Sequence, residues 1–175
     1  MRSATRAWLG LGGNLGDVQA AMAAALQQVN DSADAKIVRV SSIYRTPPWG
    51  KTDQPWFLNC CAEVETSLSP EALLNLCQQV EHAGKRERVE RWGPRTIDVD
   101  IIAIEGVEQL EQRLTLPHPR ARERAFVLLP LAEIAPDVEL NGDTVSNHLR
   151  SIDAGEIELQ TPAGDWWKVE ATRDS

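Results

Sequence analysis

Residues Ile97 to Ile104, I-D-V-D-I-I-A-I, constrain the fold more than any other stretch. Two carboxylates, Asp98 and Asp100, stand two apart inside an apolar run. In a strand, residues two apart share a face and lie about 7 Å apart along the chain. Ile97, Val99 and Ile101 then point the other way. One face of this strand must be packed, and the other presents two negative charges. Like charges that close repel unless a cation sits between or above them. Mg²⁺ meets that need, because it takes a few carboxylate oxygens and completes its shell with substrate phosphates and water. Just upstream, Arg91 and Arg95 flank a Trp-Gly-Pro turn, and guanidinium groups suit phosphate oxygens. Carboxylates that hold metal beside arginines that hold phosphate are what phosphoryl transfer requires. A bare D-x-D more often marks a solvated strand edge; the ten-residue string R-W-G-P-R-T-I-D-V-D is far more specific than the pair.

The surrounding pattern gives the class of fold. Ala7 to Gly12 reads as a buried strand, with a turn at Gly12, Gly13 and Asn14, and the alanine-rich segment from Asp17 to Val29 as a helix. Lys36 to Tyr44 alternates as one strand, closed by Pro47-Pro48, and Thr46 to Pro55 reads as a loop. Phe57 to Thr66 is a third strand. Ser69 caps a helix with Pro70 at its first position, which Gly84 ends. A charged loop then runs from Lys85 to Arg95, and the D-x-D strand extends to Ile104. Gly106 turns the chain into a short return strand near Gln109 to Leu114. The order is β-α-β-β-α-β, the pattern of an α+β, ferredoxin-like sandwich: an antiparallel sheet with two helices on one face, plus C-terminal additions. The 175 residues read as one domain. In the tail from about 154 to 175, E-I-E-L-Q and W-W-K-V-E suggest a hairpin around Pro162 to Asp165.

Charge narrows the partners. The net charge is −8 and the pI about 4.9, which argues against a general nucleic-acid binder. Yet Lys85, Arg86, Arg88, Arg91, Arg95, Arg113, Arg120, Arg122 and Arg124 make nine of the 18 basic residues. A local basic site on an acidic chain fits a small anion. No run is apolar and long enough to span a membrane, and the N-terminus has no signal-peptide core. Cys60, Cys61 and Cys77 form no C-x-x-C and read as reduced, mostly buried thiols of a cytoplasmic protein.

Two glycine-rich strings are false leads for nucleotide binding. In Gly10-Leu11-Gly12-Gly13-Asn14-Leu15, Leu15 stands where the third glycine of a dinucleotide loop belongs. In Gly50-Lys51-Thr52, Arg45 stands where a P-loop needs its first glycine. Phe57 and Asn59 share a strand face, and a ring beside a carboxamide suits a flat heterocycle, although spacing alone favours a core ring and a structural amide. Arg113, Thr115, His118, Arg122 and Arg124 surround a Pro-His-Pro turn before Phe126. They fit either a second half of a phosphate site or a solvated loop, with His118 contacting phosphate or holding the turn.

Taken in order, six strings match one family: L-G-G-N-L-G-D from Leu11, S-S-I-Y-R-T-P-P from Ser41, D-Q-P-W-F-L-N from Asp53, R-E-R-V-E-R-W-G-P-R-T-I-D-V-D from Arg86, L-T-L-P-H-P from Leu114, and R-A-F-V-L-L-P-L-A-E-I-A-P from Arg124. Over roughly Ala7 to Asp137 the chain resembles the 6-hydroxymethyl-7,8-dihydropterin pyrophosphokinases of folate synthesis. The resemblance implies transfer of a pyrophosphoryl group from ATP to the hydroxymethyl oxygen of a reduced pterin, leaving AMP. It implies that Asp98 and Asp100 hold two Mg²⁺ ions and that Arg86 and Arg95 join them in catalysis. It assigns ATP to Gln78, Glu81, Arg88, Arg91, Trp92, Ile101, Arg113, Thr115, His118 and Arg124. It assigns the pterin to Thr46, Pro47, Trp49, Phe57, Asn59 and Phe126. Trp49 and Phe57 depart from the smaller apolar residue and the tyrosine frequent in relatives, and Phe57 lacks that hydroxyl. The tail beyond about Asp153 has no counterpart. Loops 46–55 and 85–95 are long enough to act as lids. A monomer is expected, with no nucleic-acid or membrane partner.

Competing classes are an RNA-recognition module, another D-x-D transferase, and a paralogue that binds without turnover. An RNA-recognition module would carry aromatic residues where D-V-D stands.

Overall fold

A computed structural model describes residues 3–47, 55–90 and 97–168, with 85–90 described by backbone alone. Trp49, Arg91, Trp92 and Arg95 therefore lie outside the described residues. So do the side chains of Arg86 and Arg88, residues 48–54 of the first expected lid loop and residues 91–95 of the second.

Strand β1 (Thr5–Gly13) leads to helix α1 (Val18–Asp31), whose first turn is capped by Asp17 through a bond from the Ala20 N–H at 3.1 Å. Then come β2 (Ala35–Val40), β3 (Ile43–Thr46), β4 (Phe57–Thr66), α2 (Pro70–Glu90) and β5 (Asp98–Ile104). All pairings in the six-stranded sheet are antiparallel, in the order β5-β1-β4-β3, with β2 beside β3 on the same flank of β4. This is the ferredoxin-like arrangement.

Four local expectations change. β1 continues through Gly12 to Gly13, because Gly12 and Gly13 pair with β4 and Gly12 also pairs with β5. The single strand expected over Lys36–Tyr44 breaks at Ser41-Ser42. The Ser41 hydroxyl accepts the Cys61 N–H at 2.9 Å and donates to the Ser42 carbonyl at 2.7 Å, while the Ser41 N–H still reaches the Cys61 carbonyl at 2.9 Å, so side-chain bonds interrupt the regular ladder there. The second helix passes Gly84 and runs to Glu90, so the first six residues of the expected charged loop are helical. Lys85, Arg86 and Arg88 are good helix formers, and the short Gly84 side accommodates Ile97, whose Cγ2 would lie 3.5 Å from an added Cβ. The return strand expected near Gln109–Leu114 is present but shorter: β6 (Gln109–Leu110) pairs with β7 (Thr115–Leu116) as a separate hairpin.

Each face of the sheet has its own core. Leu9, Leu11, Cys60, Val64, Val99 and Ile101 pack against Met22 and Leu26 of α1 and Leu73 and Cys77 of α2. On the opposite face, Trp8, Cys61 and Ile102 meet Leu128 and Leu131 of α3 (Ala125–Ile134) and Val145 of α4 (Val145–Arg150). Helix α3 was not anticipated, since its near-continuous apolar run and internal Pro130 hide any amphipathic period. Between α3 and α4, β8 (Glu139–Leu140) and β9 (Asp143–Thr144) form a small hairpin.

The expected tail hairpin is also replaced. β10 (Glu158–Thr161) joins the main sheet against β3, and residues 162–168 form bends and turns, not a second strand. Trp167 is buried in the larger core and Trp166 packs against it. No helix among the described residues is long and apolar enough to cross a membrane.

Candidate active site

Helices α3 and α4 cover only part of their sheet face. Where that cover ends, a cavity of about 980 Å³ opens over the strand ends. Its floor follows from the register. Gly12 of β1 pairs with Asn59 on one side and Asp98 on the other, while Gly10 pairs with Cys61 and Asp100. Two transverse rows result, Asp98–Gly12–Asn59 and Asp100–Gly10–Cys61. In each, a glycine separates an acidic side chain from the residue on β4. Strands lie about 4.8 Å apart, so Asp98 and Asn59 stand about 10 Å from each other with nothing projecting between them.

A bare Gly12 leaves the Asn59 carboxamide its place. A Cβ there would fall 2.3 Å from the Asn59 Oδ1, and one on Gly10 would fall 3.1 Å from the Ile102 Cδ1. The string that fails as a dinucleotide loop is instead the smooth strip of a site floor. Sequence reasoning missed this role, although the alternation Gly10-x-Gly12 inside a strand was the available signal.

The walls bring together much of what the sequence nominated. Thr46 and Pro47 of β3 and its end, Phe57 and Asn59 of β4, Asp98 and Asp100 of β5, and His118, Arg124 and Phe126 all line the cavity. The segment Asp153–Ile157 completes it, from a tail to which no site residue had been assigned. Arg120 and Glu123 line it as well.

Asp100 and His118 perturb each other. The cavity walls strip hydration from the Asp100 carboxyl and raise its pKa above the usual carboxylate range. His118 and Arg124 pull it down, and Asp98 pushes it up. Burial lowers the His118 pKa, opposed by Asp100 and assisted by Arg124 and Arg120. The imidazole is therefore neutral at pH 7. Its Nδ1 accepts the Arg120 N–H at 3.2 Å, so the proton sits on Nε2, which remains a donor. The His118 backbone N–H donates to the Ile102 carbonyl at 2.7 Å, which hangs the Pro-His-Pro turn on β5. His118 thus holds the turn with one nitrogen and keeps the other available. The Arg124 guanidinium lies 5.6 Å from the centre of the Phe126 ring.

The other nominated residues stand elsewhere. Gln78 lines a shallower hollow on α2 with Asn75, Gln79, His82 and Ala83. Glu81 accepts the Val99 N–H at 2.6 Å, tying α2 to the strand between the two aspartates. Arg113 pairs with Glu71 and donates to the Asn75 Oδ1 at 2.6 Å, so its guanidinium is engaged by α2. The Thr115 hydroxyl donates to the Glu111 carbonyl at 3.0 Å. Ile101 is 3% exposed in the core on the helix side, so only its backbone can reach a ligand.

The donor set fits Mg²⁺. Two carboxylates face the cavity from neighbouring positions of one strand face. Among the described residues no group of three or more His, Cys, Asp or Glu side chains could hold a metal alone. A cation here must complete its shell with phosphate and water oxygens, which is how Mg²⁺ is usually held.

The model of the 7,8-dihydro-6-hydroxymethylpterin-pyrophosphokinase (HPPK) family matches residues 8–136. The chain belongs to this family. It is 50% identical over 154 residues to the 2-amino-4-hydroxy-6-hydroxymethyldihydropteridine pyrophosphokinase of Methylorubrum extorquens, covering 88% of this chain and 98% of that protein. The Bacillus subtilis protein of the same name is 45% identical over 133 residues, covering 76% of this chain and 80% of its own length. The crystal structure of Plasmodium falciparum HPPK-DHPS matches with a TM-score of 0.65 at 15% identity, over 86% of this chain. That likeness concerns the fold alone, and this chain spans 43% of the Plasmodium chain. Within the HPPK match lie every cavity residue named above except those of the tail.

Proposed function

We propose that the cavity seats Mg-ATP and 6-hydroxymethyl-7,8-dihydropterin side by side, phosphates over Asp98 and Asp100 and the pterin ring against Phe57, Asn59 and Phe126. The observation that carries this reading is the shared sheet face: two carboxylates and a carboxamide about 10 Å apart across a bare glycine strip. As a member of the HPPK family, the chain is an ATP-dependent diphosphotransferase of folate biosynthesis. The pterin hydroxymethyl oxygen bonds to the β-phosphorus of ATP and gives up its proton to water. The bond from that phosphorus to the bridging oxygen on the α-phosphorus breaks, and AMP leaves with that oxygen.

Asp98 and Asp100 would hold Mg²⁺, two ions being the proposed load. When bound, the metal supplies charge neutralisation on the phosphate oxygens. The protein's own contribution is position. Arg124 and the His118 Nε2–H offer donors to phosphate oxygens at the cavity wall. The Asn59 carboxamide offers both a donor and an acceptor to the heterocycle edge, and Phe57 and Phe126 offer faces for stacking. Fixing the two substrates together replaces the entropy cost of a bimolecular encounter. From the phosphate site the nucleotide would pass round the β5 edge towards Gln78, where α2 leaves its shallow hollow. Arg86, Arg88, Arg91, Trp92, Arg95, Arg113, Thr115 and the Ile101 backbone complete the proposed ATP side; Thr46, Pro47 and Trp49 complete the pterin side. A cytoplasmic monomer is part of the same proposal.

Purified protein given Mg-ATP and the reduced pterin should yield AMP and the pterin pyrophosphate. ADP as the product would place the attack on the γ-phosphorus and overturn the assignment. Asp98→Ala should abolish this turnover while the circular dichroism spectrum and melting temperature stay near wild type, since an exposed carboxylate is lost.

A further inference from the structure

Resting on the reading of the cavity just given, we propose that the strap Asp153–Ile157, with Ile157 at its tip, is the end wall of the heterocycle pocket and decides which substituted pterins enter. The family match ends at residue 136, so this wall comes from outside the matched region.

The strap's place follows from strand register. Glu158 pairs with Arg45, and Leu159 with Tyr44. One residue back, Ile157 comes opposite Thr46, which pairs with Phe57. Side chains alternate along a strand, so Ile157 lies on the face of Leu159, Tyr44, Thr46 and Phe57, the face of the cavity. It is half-buried and lines that cavity. Asp98 stands four strand spacings away, about 19 Å, so the wall meets the heterocycle end and not the phosphate end.

The strand that follows the strap is anchored to the fold. On the opposite face Glu158 accepts from the Arg45 Nε and Nη2 at 3.0 and 2.6 Å, and the Arg45 guanidinium lies 4.8 Å from the centre of the Trp56 ring, next to Phe57. Beyond β10, the Ala163 N–H donates to the Ser42 Oγ at 2.8 Å, the Trp166 Nε1–H to the Ser41 carbonyl at 3.1 Å, and the Gln27 amide to the Trp167 carbonyl at 2.6 Å. A wall anchored on this side and preceded by α4 has a set position. The size of its apolar tip then bounds the length of ring that fits.

Steady-state kinetics on full-length Ile157→Phe and Ile157→Ala test this. Ile157→Phe should raise the pterin KM about tenfold or more, and leave the ATP KM within about twofold. Ile157→Ala should shift preference towards ring-alkylated pterins by about threefold or more. A merely structural role would instead move the melting temperature and both KM values together. Pterin KM and alkyl preference unchanged in both variants would overturn the proposal. If Ile157→Phe does not fold, one glycine inserted after Gly155, in an exposed turn at φ 68°, displaces the wall and is judged by the same two KM values. Wild-type protein that converts no pterin would remove the underlying reading itself; normal wild-type turnover with unmoved variants would remove only the wall.

Discussion

At the scale of single residues, the site depends on groups kept in states they would not choose alone. Asp100 is held with its pKa raised by lost hydration, so the folded chain binds its proton more tightly than the unfolded chain does. Its stabilising contribution is therefore present below the unfolded carboxylate pKa and is lost as pH rises through the raised folded value. At neutral pH the metal-free fold carries a charge it would rather shed. Asp100→Asn should accordingly raise the melting temperature of metal-free protein at pH 7, with the gain shrinking as the pH falls towards 4, while turnover disappears. Scanning calorimetry across that range with EDTA present checks the sign. Gly12 works by absence. Gly12→Ala sets a methyl against the Asn59 carboxamide, so the amide must turn away. The pterin KM should rise by about tenfold, the cost of leaving a heterocycle hydrogen bond unmade, with the ATP KM little changed.

At the scale of elements, the break between β2 and β3 organises the site from outside it. Ser42 gives its N–H and its hydroxyl to the Glu133 carboxylate at 3.0 and 2.8 Å, and the Tyr44 hydroxyl reaches the same group at 3.2 Å. Glu133 belongs to α3, whose N-terminal end carries Phe126. One carboxylate thus locks the helix bearing one proposed pterin face to the strand bearing Thr46. Glu133→Ala leaves the buried Ser42 N–H unpaired and should cost about 1–3 kcal/mol, read as a lower urea midpoint at unchanged slope. The break is decided by what the segment meets across the fold, where side-chain bonds outweigh local propensity. The extension of α2 past Gly84 instead follows the helix-forming residues beyond it.

At the scale of the whole molecule, the tail is part of the structure. It supplies an edge strand, a cavity wall and two tryptophans, of which Trp167 is 7% exposed in the larger core. Trp167→Ala should destabilise the protein by about 3–5 kcal/mol by opening a cavity beneath α1. Equilibrium unfolding measures this directly. The three cysteines are free and buried, and burial pushes the Cys77 thiol up to about 12, so none offers a reactive thiolate.

Sequence by itself determined which residues could do the chemistry and the order of the main elements. Asp98 and Asp100 had to share a face because a strand alternates. Phe57 and Asn59 had to share one for the same reason, and the six ordered strings pointed to the family. Sequence could not join those two faces, because strand pairing is a long-range choice that no local pattern states. Only the tertiary structure put β1 between β4 and β5, turned Gly10 and Gly12 into a floor, engaged Arg113 with α2, and carried Ile157 to Thr46 from more than a hundred residues away. Period and propensity act over a few residues, whereas a site is assembled from contacts that exist only once the chain has closed on itself.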